Sequence, residues 1–205
     1  MNKLIEDLKH TTQQHNVKLL LLPALEVTYP NSNMMVSGYF VDNGDPTLCC
    51  AIGGELNIWG PILLHESSHM DQWIENCKEW KENYWNGKEC VEWLDEWCQN
   101  KTKLEDREVD EIINRAINVE LDCEKRTIIK LIKYNIDVDI SEEIQKAISY
   151  ILFYRFLKES KKWSATGKSP YKIKEVWSLM PKSFDECNFG FVPENIKEAY
   201  YGYCY

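Results

Sequence analysis

The sequence predicts an α+β fold, with one helix and a small sheet in the first 55 residues and a mostly helical remainder. Two observations carry this prediction. Between positions 17 and 52, short apolar runs alternate with turn residues, which is typical of strands. Beyond position 60, apolar residues recur at intervals of three and four, which is the period of an amphipathic helix.

The N-terminal elements follow from apolar runs and the residues that end them. Residues 2–15 have the pattern of an amphipathic helix, and 17–22 form an apolar run closed by Pro23, which indicates a buried strand. Turn residues then separate two further predicted strands, at about 35–42 and 47–52, and Gly53-Gly54 ends the last one.

The remainder is predicted to be helical. Gly60-Pro61 places a proline where the first turn of a helix tolerates it, and Asn86-Gly87 ends this helix or the next. From Trp163 onward the chain is expected to be mostly irregular. The later predicted helices cover about 88–99, 104–134 and 141–161.

We expect a single domain over residues 1–205. Its first part, 1–100, holds the first helix, the sheet and the helix after Gly60, and 101–205 holds the long helix and a helical or irregular C-terminal part. A chain of this length, with 44% apolar residues, can bury a core without disulfides.

The charge and the apolar runs exclude several classes of partner. A net charge of −9 repels phosphate backbones, so nucleic acid is not an expected partner. No apolar run approaches the length of a bilayer span, and the first residues lack the apolar core of a signal peptide, so we expect a cytoplasmic protein without a membrane partner.

The eight cysteines show no CxxC spacing, so a zinc knuckle or a thioredoxin-type site has no support. Without a secretory signal, disulfides are not expected either. Most of these cysteines are interpreted as reduced, buried, small apolar residues.

The chemistry is expected at His65-Glu66-Ser67-Ser68-His69. Histidines four residues apart project from one face of a helix, as two ligands of one zinc ion require. Glu66 is placed to take a proton from water that the zinc has acidified. The alternative is a chance match, since the HExxH pattern fixes three positions only.

A catalytic zinc takes three protein ligands, and the helix over 104–134 offers the third. Glu120 and Glu124 fall within its apolar stripe, where a carboxylate needs a cationic partner. We predict Glu120 as the third ligand and Glu124 as acceptor for the free ring nitrogen of a ligand histidine. The alternative partners of the two carboxylates are solvent or a basic neighbour: Arg115, Lys125 or Arg126.

These residues resemble the gluzincin branch of the zincin metallopeptidases, which combine HExxH with a zinc-binding glutamate on a later helix. The resemblance implies a zincin-like fold, one Zn²⁺ and a peptide or protein substrate. It also implies that an edge strand of the sheet, here 47–52, holds the substrate in extended form. Glu124 stands where many gluzincins have Asp. A weaker similarity is to phage- or virus-encoded metallopeptidases.

The predicted activity is therefore peptide hydrolysis, with Glu66 as general base. An oxyanion donor is also needed, and Tyr150 and Tyr154, one turn apart on a buried helix, are the candidates. Core packing is the alternative role for both tyrosines. The rival function is a non-catalytic zincin-like scaffold that binds a partner protein.

Overall fold

A computed structural model describes residues 2–30 and 32–205, and within them the chain forms eight α-helices and seven short strands. The helices are α1 (Asn2–Gln14), α2 (Leu56–Glu75), α3 (Lys78–Glu82), α4 (Cys90–Cys98), α5 (Asp106–Lys133), α6 (Ile140–Ser160), α7 (Lys174–Trp177) and α8 (Glu194–Tyr203). The strands are β1 (Lys18–Leu22), β2 (Val27–Thr28), β3 (Met35–Val36), β4 (Gly38–Val41), β5 (Thr47–Ala51), β6 (Tyr84–Trp85) and β7 (Lys88–Glu89). The α+β class predicted from the sequence is confirmed.

The chain divides into two compact units whose sequence ranges interleave. The first unit comprises Met1–Cys77 and Cys123–Val138, and the second comprises Lys78–Asp122 and Asp139–Tyr205. Helix α5 contributes its first part to the second unit and its last part to the first. The single-domain organisation over 1–205 stays a prediction.

The first unit is built on a three-stranded sheet with the order β1-β5-β4. β1 pairs with β5 in parallel, with Leu20 opposite Cys49, and β4 pairs with β5 antiparallel, with Phe40 opposite Leu48. β5 is therefore the central strand, and all five of its residues are buried. The expected role of 47–52 as a substrate-binding edge strand is wrong, because both edges of β5 are already paired.

The predicted second strand, about 35–42, is two strands. β3 pairs with β2, placing Val36 opposite Val27, whereas β4 joins the main sheet. The break falls at Ser37, whose carbonyl accepts the amide of Ala51. Ser37-Gly38 interrupts the apolar pattern at this point, but the sequence alone does not show that the two halves pair with different strands.

Helix α2 packs against β4 and β5 and carries the HExxH sequence. It begins at Leu56 after the extended residue Glu55, so Pro61 lies inside the helix and not in its first turn as expected. The proline removes the N–H that would bond the carbonyl of Asn57. The helix ends at Asn76, which adopts the left-handed conformation.

The second unit has its core where α4, α5, α6 and the C-terminal segments bring apolar side chains together. Ile112 and Ile113 of α5 and Ile148 and Leu152 of α6 are among its fully or nearly fully buried residues. The predicted helices at 88–99, 104–134 and 141–161 correspond to α4, α5 and α6.

Two parts of the second unit differ from the prediction. Asn86 and Gly87 do not end a helix but form the turn between β6 and β7, both with positive φ, as a type I′ hairpin turn requires. The C-terminal segment expected to be irregular contains the ten-residue helix α8. Within the described part of the chain, no helix combines the length and apolarity that crossing a bilayer requires.

Candidate metal centre

The two histidines of the HExxH sequence lie together on α2. Their ring centroids are 4.8 Å apart and the ring planes are nearly perpendicular, at 89°. The side chain of His65 is 23% exposed, so solvent reaches the ring although most of its surface is covered. The helical spacing thus brings two nitrogen ligands within reach of one ion.

Each histidine has an oxygen acceptor at its Nδ1 atom. Glu124 Oε1 lies 3.0 Å from His65 Nδ1, and Gln72 Oε1 lies 2.9 Å from His69 Nδ1. A ring that donates its Nδ1–H to such an oxygen is fixed in orientation and presents the lone pair of Nε2 to a metal. The contact expected between Glu124 and a histidine is present in the structure.

The surroundings of His65 favour positive charge. Burial by itself lowers the pKa of the imidazole, but the acidic side chains of Cys123 and Glu124, and their hydrogen bonds, raise that pKa well above its usual value. The same groups would attract a divalent cation. The site is therefore electrostatically suited to a metal ion.

Cys123 lies beside the histidines, which sequence reasoning missed. Its Sγ is 3.6 Å from His65 Nδ1, and the thiol donates to the carbonyl oxygen of His65 at 3.4 Å. One ligand atom each from His65, His69 and Cys123 lie within 4.8 Å of one another, so the three side chains can hold a metal ion. The only signal in the sequence was that position 123 continues the stripe containing Glu120 and Glu124.

Glu66 is connected to the sheet. Its Oε2 accepts the backbone amide of Phe40, on edge strand β4, at 3.0 Å. Gly38 of the same strand allows this close approach, because a Cβ there would lie 3.3 Å from Glu66 Cγ. A hydrogen-bonded carboxylate beside His65 is thereby held in one position.

The last part of α5 also binds the serines of the motif. Thr127 donates to Ser68 Oγ at 3.2 Å, and Lys130 donates to Ser67 Oγ at 2.8 Å. Lys130 also pairs with Asp71 at 2.7 Å, so Asp71 supports the contact between α2 and α5. These bonds hold the ligand helix against the segment that carries Cys123 and Glu124.

The remaining predicted site residues belong to the second unit. Tyr154, which is 2% exposed, donates to Glu120 Oε1 at 3.3 Å, and the hydroxyls of Tyr150 and Tyr154 are 2.8 Å apart. Burial, followed by the effects of Tyr150 and Glu120, raises the pKa of Tyr154 well above its usual value. The structure thus joins Glu120 to both candidate oxyanion donors.

Two of the three basic residues weighed as alternative partners, Arg115 and Arg126, have acidic partners of their own. Arg115 binds Glu111 at 2.8 Å, and Arg126 binds Glu75 at 2.8 Å. The role of Glu120 as a metal ligand stays a prediction.

No family model, curated protein or solved structure matches the chain. Any conclusion about function therefore depends on the donor atoms themselves. Two imidazoles with a thiolate or a carboxylate form a ligand set that zinc commonly takes, so the residues present fit this ion.

Proposed function

We propose that the chain is a zinc-dependent metallopeptidase with a zincin-like fold, acting on a peptide or protein substrate. The observation that carries the proposal is the pair of imidazoles on α2, each with its Nδ1 atom next to an oxygen acceptor. Metal-ligating histidines almost always donate their other ring N–H to an oxygen acceptor in this way.

The ion would supply two effects, lowering the pKa of a water molecule and polarising the carbonyl oxygen of the scissile bond. The protein supplies the proton transfer. Glu66 follows His65 directly in sequence and is held by the amide of Phe40. We assign it as the general base that removes the proton of the attacking water and passes it to the leaving amine.

Tyr150 and Tyr154 are carried forward as the candidate donors to the oxyanion. The third ligand is either Glu120, as the sequence predicts, or Cys123, whose sulfur lies beside His65. Of the two tyrosines, Tyr150 is the better candidate, because it is only partly buried and Tyr154 already donates to Glu120.

The test compares Glu66→Gln with the unchanged protein. Glutamine keeps an oxygen that accepts the Phe40 amide, so we expect the fold and one bound zinc to be retained. Hydrolysis of a fluorescence-quenched peptide library should fall by about 10²- to 10⁴-fold, the usual contribution of a general base. Elemental analysis of the same samples measures zinc.

Glu75→Gln is the matched control, since Glu75 lies on the same helix but binds Arg126 at the exposed surface. It should leave zinc content and activity unchanged. Full activity in Glu66→Gln would exclude Glu66 as the base, and a protein that binds no zinc would exclude the proposal as a whole.

One observation favours the rival function, a zincin-like scaffold that binds a partner protein without catalysis. The bond from Phe40 to Glu66 gives the glutamate a structural use at the sheet edge, independent of proton transfer. The scaffold is the better description if the protein binds one zinc tightly and hydrolyses no member of the peptide library.

A further inference from the structure

We propose that Cys123 is the third protein ligand of the metal, so that the centre is formed by His65, His69 and a thiolate. This inference rests on the proposed function, since it concerns the same ion. It replaces the glutamate expected at position 120 by a sulfur ligand, which changes the metal preference and the spectroscopy of the site.

The distances within the first unit carry the inference. The ligand atoms of the three side chains are within 4.8 Å of one another before any ion is bound. In a tetrahedral zinc site with Zn–N of about 2.0 Å and Zn–S of about 2.3 Å, nitrogen and sulfur stand about 3.5 Å apart. A contraction of no more than about 1.3 Å would therefore complete the centre.

The chemistry of the thiol is consistent with this movement. Cys123 is fully buried, and its thiol donates a hydrogen bond to the carbonyl oxygen of His65 at 3.4 Å. Metal binding removes that proton, because only the thiolate is a ligand. The bond to the carbonyl is then lost, and the buried negative charge needs a cation next to it.

The case for Glu120 as a ligand depended on the cost of burying its carboxylate. Tyr154 donates to that carboxylate at 3.3 Å, within the second unit. A hydrogen bond of this kind lowers the cost of burial without any metal. The position of Glu120 in the apolar stripe therefore no longer requires a zinc ion.

The experiment titrates Co²⁺ into the metal-free, reduced, full-length protein and records its near-ultraviolet absorption. We expect a thiolate-to-cobalt charge-transfer band that saturates at one equivalent. Cys123→Ser should abolish the band and weaken zinc binding, measured by competition with a chelator, by more than about 100-fold, beyond the effect of losing an outer-shell partner.

Cys50→Ser is the matched control. Cys50 is as buried as Cys123 and lies in the same unit, on β5, where its thiol is close to the carbonyl oxygens of Ala51 and Trp59. This variant should keep both the band and the zinc affinity. X-ray absorption at the zinc edge of the unchanged protein needs no variant and should show one sulfur at about 2.3 Å.

Each outcome separates the two proposals. If one cobalt binds without the band and Glu120→Gln loses the metal, Cys123 is not a ligand, whereas the metallopeptidase proposal stands. A band that survives Cys123→Ser also overturns the inference. If the unchanged protein binds no metal, both proposals fail.

Discussion

Replacing Gly38 by alanine should disturb the contact between the sheet and the ligand helix. The new Cβ would lie 3.0 Å from Ile62 Cγ2 and 3.1 Å from the carbonyl oxygen of Cys49. It would also lie 3.3 Å from Glu66 Cγ, on the side chain that accepts the Phe40 amide. All three distances are shorter than ordinary van der Waals contact, so these neighbours must give way by a few tenths of an ångström.

The size of the effect follows from overpacking and chain entropy. An extra methyl group in a filled space costs about 1–3 kcal/mol. The loss of glycine flexibility in the unfolded chain offsets about 0.4–1 kcal/mol of this cost. We expect the free energy of unfolding to fall by about 1–2 kcal/mol, measured by urea denaturation at fixed zinc concentration.

Activity should fall more than metal binding. Glu66 is among the three nearest neighbours of a Cβ at Gly38, whereas neither imidazole is, so zinc content should be unchanged. A shift of well under an ångström in a general base should reduce kcat/KM by about tenfold, since displacements of about 1 Å cost about 100-fold.

Gly202→Ala is the control. Gly202 lies in α8, where an added Cβ meets no atom within 4 Å, and this variant should be more stable by about 0.4–1 kcal/mol. A Gly38→Ala protein as stable and as active as the unchanged one would show that the close packing between β4 and α2 has no energetic consequence.

Three further predictions concern other parts of the chain. Glu124→Ala removes the oxygen 3.0 Å from His65 Nδ1 and should weaken zinc binding by about 10- to 100-fold in chelator competition; unchanged affinity would refute its outer-shell role. Burial raises the pKa of the Cys50 and Cys90 thiols from 9.0 to about 12. The folded state then keeps thiol protons that the unfolded state loses, so the free energy of unfolding is unaffected below about pH 9 and falls as the pH rises toward 12. By about pH 10 each thiol should lower the free energy of unfolding, measured by urea denaturation, by about 1.4 kcal/mol. A constant free energy of unfolding from about pH 8 to 10 would contradict this. Asp139 accepts two backbone amides at the start of α6, so Asp139→Ala should lower stability by about 1 kcal/mol in the same assay, while Asp139→Asn, which can cap equally well, should not.

The helices were predictable because their signals are local. α5 follows from its apolar periodicity, whereas α6 is apolar nearly all round and is marked by the capping residue Asp139 at its start. The strand 47–52 was also found, but its place in the sheet was not. Strand order depends on which segments pair, and an apolar run is equally compatible with an edge or a central position.

The errors near Pro61 and Asn86-Gly87 have local causes as well. A proline is most frequent in the first helical turn, yet the packing of α2 on β4 and β5 tolerates it further inside. Asn-Gly is a strong hairpin signal only when strand-like residues flank it. Here each strand has two residues, which is too short for periodicity to reveal.

The two histidines and Glu66 could be predicted from spacing alone, because four residues separate neighbours on one helix face. The residues of α5 that approach them could not be selected in the same way. At about 100° per residue, positions 120, 123 and 124 all project within an arc of about 100°. A rotation of α5 by about 40° exchanges Glu120 with Glu124 at a given point, and a rotation by about 60° exchanges Glu120 with Cys123.

Side-chain chemistry does not remove this ambiguity, because a carboxylate and a thiolate are both good zinc ligands. In the structure Cys123 and Glu124 both contact His65, and Glu120 accepts a hydrogen bond from Tyr154. The sulfur ligand is consequently the part of the site that only a folded structure could suggest. The cobalt spectrum tests it most directly, since an oxygen ligand gives no thiolate charge-transfer band.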